Sequence, residues 1–204
     1  MTAFQLVLSF AVLLAALGAG MLMHSISSKK RVLNNFRCLA EQLGGTVHQD
    51  HLFAYPVFQG DYRGRKVSVG FHTVKNRSTE VIYLVYTSSV NSRFSVMAIQ
   101  ENFFKPLKDP ARWSQEMGSK INDLPTPYQV WAKEEDHART RQLFHDPALP
   151  TLLEGLKEFP SLILGPLMVL MSKPYDGNKD TTPETALRHF QTLDSLAQRM
   201  EVIR

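Results

Sequence analysis

The first hydrophobic pattern along the chain is not periodic: from Phe4 to Met23 (FQLVLSFAVLLAALGAGMLM) twenty residues pass without a charge. At about 1.5 Å per residue a helix of that length reaches about 30 Å, the thickness of a hydrocarbon core. Phe4, Leu6, Val7, Leu8, Leu13, Leu14, Leu17, Met21, Leu22 and Met23 are its membrane-span residues. A cleaved signal peptide would carry Lys or Arg ahead of a shorter apolar run. Met1 to Ala3 carry none, so the run reads as a retained anchor. Ala11, Ala15 and Ala19 recur at every fourth position, a spacing that lets two helices approach closely and offers a homodimer contact.

Beyond the span the pattern becomes periodic. Val32, Leu33, Phe36, Leu39, Ala40 and Leu43 fall at helical intervals, and Gly44 and Gly45 end them. Cys38 adjoins this stripe and is expected to be buried. Short β-branched and aromatic segments follow, TVHQD, YPVFQGDYR, KVSVGFHTV, EVIYLVYTS and RFSVMAIQ, divided by turn-like stretches. In KVSVGFHT, Val67, Val69 and Phe71 alternate with Lys66, Ser68 and His72, the signature of a strand with one wet face. VIYLVY is apolar on both faces and suits a central strand. Residues 101–127, broken by Pro106, Pro110, Pro125 and Pro127, read as a connector.

YQVWAK then predicts a strand and EEDHARTRQLF a short helix with Asp136 as N-cap. Leu152, Leu153, Leu156 and Phe159 form a further helical stripe. SLILGPLMVLM, interrupted by Gly165 and Pro166, is too short to cross a bilayer and predicts two buried strands joined by a tight turn. Thr182 as N-cap and Pro183 at the first helical position open a last helix, whose stripe is Ala186, Leu187, Phe190, Leu193, Leu196, Ala197 and Met200. The order of elements predicts an α+β fold: an N-terminal transmembrane helix (1–24), a juxtamembrane basic linker (25–30) and a soluble domain (31–204) with helices on a mainly antiparallel sheet.

Charge orients the anchor. Lys29, Lys30 and Arg31 flank the span on one side, and the tail before it carries no Lys or Arg. Positive residues stay cytoplasmic, which places the soluble domain on the cytoplasmic face of the plasma (inner) membrane. The alternative, an extracytoplasmic envelope-associated domain, requires an N-terminus that stays inside without basic residues. Ten Lys or Arg against four Asp or Glu lie in residues 1–100, against thirteen and fifteen in 101–204. The basic N-terminal half therefore offers contact to anionic headgroups of the lipid bilayer. The single cysteine excludes an internal disulfide.

Candidate chemistry is thin. His48, Asp50 and His51, with His72 nearby, are metal-ligand types, but a polar turn explains them better than a zinc site. His137, Arg141 and His145 share a helix face whose central cation would repel a metal. Asp176, Asn178 and Asp180 resemble the opening of a calcium loop, yet Thr181 and Leu187 stand where glycine and a bidentate acid belong. Arg63, Arg65 and Lys66 flank one hairpin turn, and Lys75 and Arg77 the next, about 30 Å away along a strand, so they form no continuous patch and no nucleic acid is expected. FFKPLKDPARW mixes Phe103, Phe104 and Trp113 with cations and is a candidate interfacial segment. Neither a nucleophile elbow nor a phosphate loop is present outside the span, and no catalytic, cofactor or metal residue is assigned.

The layout resembles uncharacterised single-pass bacterial membrane proteins in LAEQLGG ending the first helix, GDYRGRKVSV as a hairpin, HDPAL, and the final helix FQTLDSLAQRM. That resemblance implies a span followed by a soluble α+β domain, and it transfers no activity and no functional residues. The expected role is a membrane-anchored binding or scaffolding module; the rival is a tethered hydrolase, which needs a deep pocket with converging titratable groups.

Overall fold

The computed structural model describes the backbone of residues 3–76, 79–100 and 118–203, with the side chains of 3–19, 21, 22, 76 and 79 outside the description. Helix α1 (Ala3–Leu43) is unbroken, and the juxtamembrane basic stretch 25–30 is helical. It stops because Gly44 turns into the left-handed region at φ +67° and Gly45 donates its N–H back to Ala40 at 3.0 Å. Strands β1 (Thr46–His48), β2 (Val57–Tyr62), β3 (Arg65–Asn76) and β4 (Thr79–Ser89) then meander antiparallel.

Strands β5 (Val96–Gln100), β6 (Ser119–Ile121) and β7 (Tyr128–Ala132) follow, then helices α2 (His137–Phe144) and α3 (Leu149–Gly155). The apolar run folds as β8 (Ser161–Leu164) and β9 (Met168–Pro174), closed by Gly165 N–H on the Met168 carbonyl at 2.8 Å. Helix α4 (Pro183–Val202) begins at Thr182, whose side chain accepts from Thr185 N–H. Among the described residues nine strands make one sheet in the order β1-β2-β3-β4-β9-β8-β5-β7-β6, every neighbouring pair antiparallel. The β8–β9 hairpin is thus inserted between β4 and β5, which are consecutive in the chain.

The core lies on one face of this sheet. Val32, Phe36 and Leu39 of α1 and Phe190, Leu193 and Ala197 of α4 are fully buried among Phe58, Val69, Leu84, Tyr86 and Met171. The α+β architecture, the antiparallel sheet and the central position of β4 agree with the hydrophobic pattern. Three expectations are corrected. Cys38 is exposed, because it lies two residues from Phe36, about 200° around the helix and outside the buried stripe. Asp136 precedes α2 but makes no side-chain cap; its carboxylate accepts instead from Ser95 N–H at 2.9 Å, tying β5 to α2. The proline-rich connector contains β6, which pairs with β7 at the sheet edge.

Among the described residues no helix is long and apolar enough to cross a membrane. Of the membrane-span residues only Met23 has a described side chain, 73% exposed. Phe4, Leu6, Val7, Leu8, Leu13, Leu14, Leu17, Met21 and Leu22, and the Ala11, Ala15 and Ala19 stripe, have side chains outside the described residues, so their place in a bilayer rests on sequence. The FFKPLKDPARW segment also lies outside the described residues.

Candidate functional site

The three adjacent cations Lys29, Lys30 and Arg31 fall where α1 enters the domain, and the structure separates them. Lys30 and Arg31 are exposed. Lys29 is engaged: Nζ donates to the Phe53 carbonyl at 2.6 Å and lies 5.1 Å from the centre of the Tyr55 ring. Tyr55 in turn stacks on Phe71 with ring centres 4.3 Å apart and meets Tyr175 edge-on at 5.7 Å, while Phe71 lies 6.2 Å from Phe36 of α1. Burial raises the Tyr55 hydroxyl pKa and pushes that of Tyr175 up to about 12, so both hydroxyls stay protonated near neutral pH.

A second grip comes from the turn before α4. Asn35 donates to Thr181 Oγ1 at 3.2 Å, and Ser28 Oγ donates to Asn178 Oδ1 at 3.4 Å. Asn178 also accepts from the Tyr175 hydroxyl at 3.0 Å. Residues 28–36 of α1 are therefore held on two sides and from below. Swinging the helix away from the domain would break aromatic packing and hydrogen bonds together.

Behind that turn lies a buried polar cluster that the hydrophobic pattern did not reveal. Lys173 of β9, 5% exposed, donates to Asp180 Oδ1 at 2.8 Å and to Glu158 Oε2 at 2.5 Å. Asp180 Oδ2 accepts from Asp176 N–H at 2.8 Å, and the Tyr86 hydroxyl donates to the Asp180 carbonyl at 2.9 Å. Burial drives the Tyr86 pKa far upward, so it remains a donor. His189 of α4 completes the cluster, packed edge-on to Tyr86 and Phe159 with ring centres at 5.0 and 4.8 Å. Neither ring nitrogen makes a hydrogen bond, although Glu158 Oε1 lies 3.4 Å from Nε2, an ion pair only once the ring is protonated. Burial lowers its pKa to about 4, with Glu158 opposing. Chemically the cluster is a closed lock between sheet, turn and helix.

The other end of α4 is clamped to the β2–β3 hairpin. Arg65 donates from Nε to Asp194 at 2.8 Å and in a two-pronged contact to Glu201 at 2.7 and 2.8 Å. Its basic neighbours Arg63 and Lys66 lie against Asp194 and Asp61, so this turn carries a neutralised surface. His48 contacts Asp50 at 2.7 Å, and His51 Nδ1 accepts from Phe53 N–H at 3.2 Å, making a polar turn. Among the described residues no group of three or more His, Cys, Asp or Glu could hold a metal. His137 Nε2 lies 3.1 Å from Ser119 and His145 Nδ1 donates to the Arg141 carbonyl, while Asp180 of the calcium-like stretch is held by Lys173. Two open hollows, about 510 Å³ beside Gly45, Asp61 and Lys66 and about 540 Å³ beside Asp146 and Arg199, each contain an acid already paired with a base.

No family model matches the chain. No curated protein matches it. Among solved structures the chain is similar to the crystal structure of the mycobacterial trehalose monomycolate transport factor A. The TM-score is 0.52 at 15% identity, covering 83% of this chain and 96% of that one. At that identity the likeness is one of fold.

Proposed function

We propose that this chain is a membrane-anchored binding or scaffolding module, which holds its α+β domain at a set attitude on the cytoplasmic face of the inner membrane. The observation that carries the reading is the unbroken α1: its twenty residues from Phe4 to Met23 carry no charge and have the length of a span, and its second half is built into the core through Val32, Phe36 and Leu39. An anchor continuous with a core helix transmits orientation, whereas an anchor on a loose tether supplies only proximity. Lys29, Lys30 and Arg31 favour the cytoplasmic side. The likeness in fold to a transport factor makes components of membrane transport the first partners to seek.

Two measurements test this. Alkaline carbonate washing of membranes should leave the chain in the pellet; release into the supernatant overturns anchoring. Cys38, the single cysteine and exposed, reports the side. A membrane-impermeant maleimide should label it only after the inner membrane is opened, and labelling in intact spheroplasts overturns the cytoplasmic assignment.

A further inference from the structure

The loop between β1 and β2 presents two large apolar side chains to solvent, Leu52 at 73% and Phe53 at 51% exposed. The loop is braced. Gln49 Nε2 donates to the Ala54 carbonyl at 2.7 Å, Ala54 N–H donates to the His51 carbonyl at 2.9 Å, and Tyr55 is fixed in the aromatic cluster under α1. Lys29 adds a bond to the Phe53 carbonyl itself. Apolar side chains held outward by this many contacts mark a surface built to be covered.

Its place along α1 says by what. Lys29 follows Met23, the last residue of the hydrophobic run, by six positions, about 9 Å along the axis. Side chains on a helix lean toward its N-terminus, which brings the Lys29 ammonium and the Phe53 carbonyl nearer still to the end of the span. A bilayer has about 30 Å of hydrocarbon within a total of about 40–45 Å, leaving roughly 5–8 Å of headgroups in each leaflet. Lys29 holds the Phe53 carbonyl, so Leu52 and Phe53 are tied to the turn of α1 that borders such a layer. Lys30 and Arg31, the next two residues of α1, are exposed, and the exposed acid of the loop, Asp50, faces His48 at 2.7 Å.

We infer that this loop is a membrane wedge, inserting Leu52 and Phe53 into the headgroup layer of the leaflet beside the anchor, with Lys30 and Arg31 meeting anionic headgroups. The inference rests on the anchored reading above and extends it. The continuous helix fixes the domain relative to the anchor, but helix and domain together remain free to tilt in the bilayer and to rotate about the helix axis. A second contact off the helix axis removes both freedoms and fixes which surface of the sheet faces the cytoplasm.

The test uses the full chain in vesicles of phosphatidylcholine with phosphatidylglycerol. A solvent-sensitive dye is attached in a Cys38→Ser background to Phe53→Cys and, separately, to Met23→Cys, both exposed positions that tolerate the change. Blue-shifted emission at both sites, with the Phe53→Cys dye quenched by lipids spin-labelled near the headgroup, is the expected result. A water-exposed dye at position 53 with a lipid-shielded one at 23 overturns the wedge and leaves the anchor standing. Dyes in water at both positions overturn the anchor, and the wedge with it. Shielding at 53 in native membranes but not in pure lipid vesicles replaces the lipid with a protein partner and also overturns the wedge.

Discussion

Replacing His189 by Phe isolates one buried ring. In the unfolded chain this imidazole takes up a proton near its ordinary 6.5; in the folded protein burial holds it neutral down to about 4. Above pH 6.5 the ring is neutral in both states and its contribution is intact. As pH falls through that window the unfolded chain binds a proton that the folded chain refuses, so stability drops. At about 1.4 kcal/mol per pH unit, the loss attributable to this residue reaches about 3 kcal/mol by pH 4. Phe keeps an aromatic plane against Tyr86 and Phe159 and removes two ring nitrogens that lack hydrogen bonds, a gain of about 1–3 kcal/mol set against overpacking of similar size. His189→Phe should therefore be close to neutral at neutral pH and progressively more stable than the parent on acidification. Urea midpoints of the full chain in detergent micelles, followed by circular dichroism across the window, measure the difference. Parallel stability curves for parent and variant would refute the reasoning, because they would mean that His189 titrates alike in both states.

Lys173→Met leaves the Asp180 carboxylate buried without its cation and should cost about 3–5 kcal/mol, with the loss partly recovered by adding Asp180→Asn; the same urea midpoints read it. Arg65→Ala removes the clamp on Asp194 and Glu201 and should cost about 2 kcal/mol, seen as faster amide exchange in the last turns of α4. Gly45→Ala would place a methyl group against the Gln59 carbonyl oxygen and 2.5 Å from the Phe58 ring, so it should lower thermal stability by about 1–3 kcal/mol.

Local order alone determined much of this molecule. The glycine stop after Leu43, the Thr182 cap with Pro183, the alternation in β3 and the Gly165–Pro166 turn between β8 and β9 are features of residues within a turn of one another, so periodicity and backbone preference suffice to read them. The charged flank was legible in the same way, as three adjacent cations. What those cations do was not. Lys29 bonds to a carbonyl twenty-four residues away, and only the meander of β1 and β2 brings Phe53 there. Lys173 sits in an otherwise apolar hairpin, and its two acids come from opposite sides of it in sequence. Insertion of β8 and β9 between β4 and β5 and the pairing of Arg65 with Asp194 and Glu201 were likewise decided by tertiary structure. Such contacts join segments whose separation along the chain carries no periodic signal, and they become favourable only once the sheet has closed and excluded water from the groups it brings together.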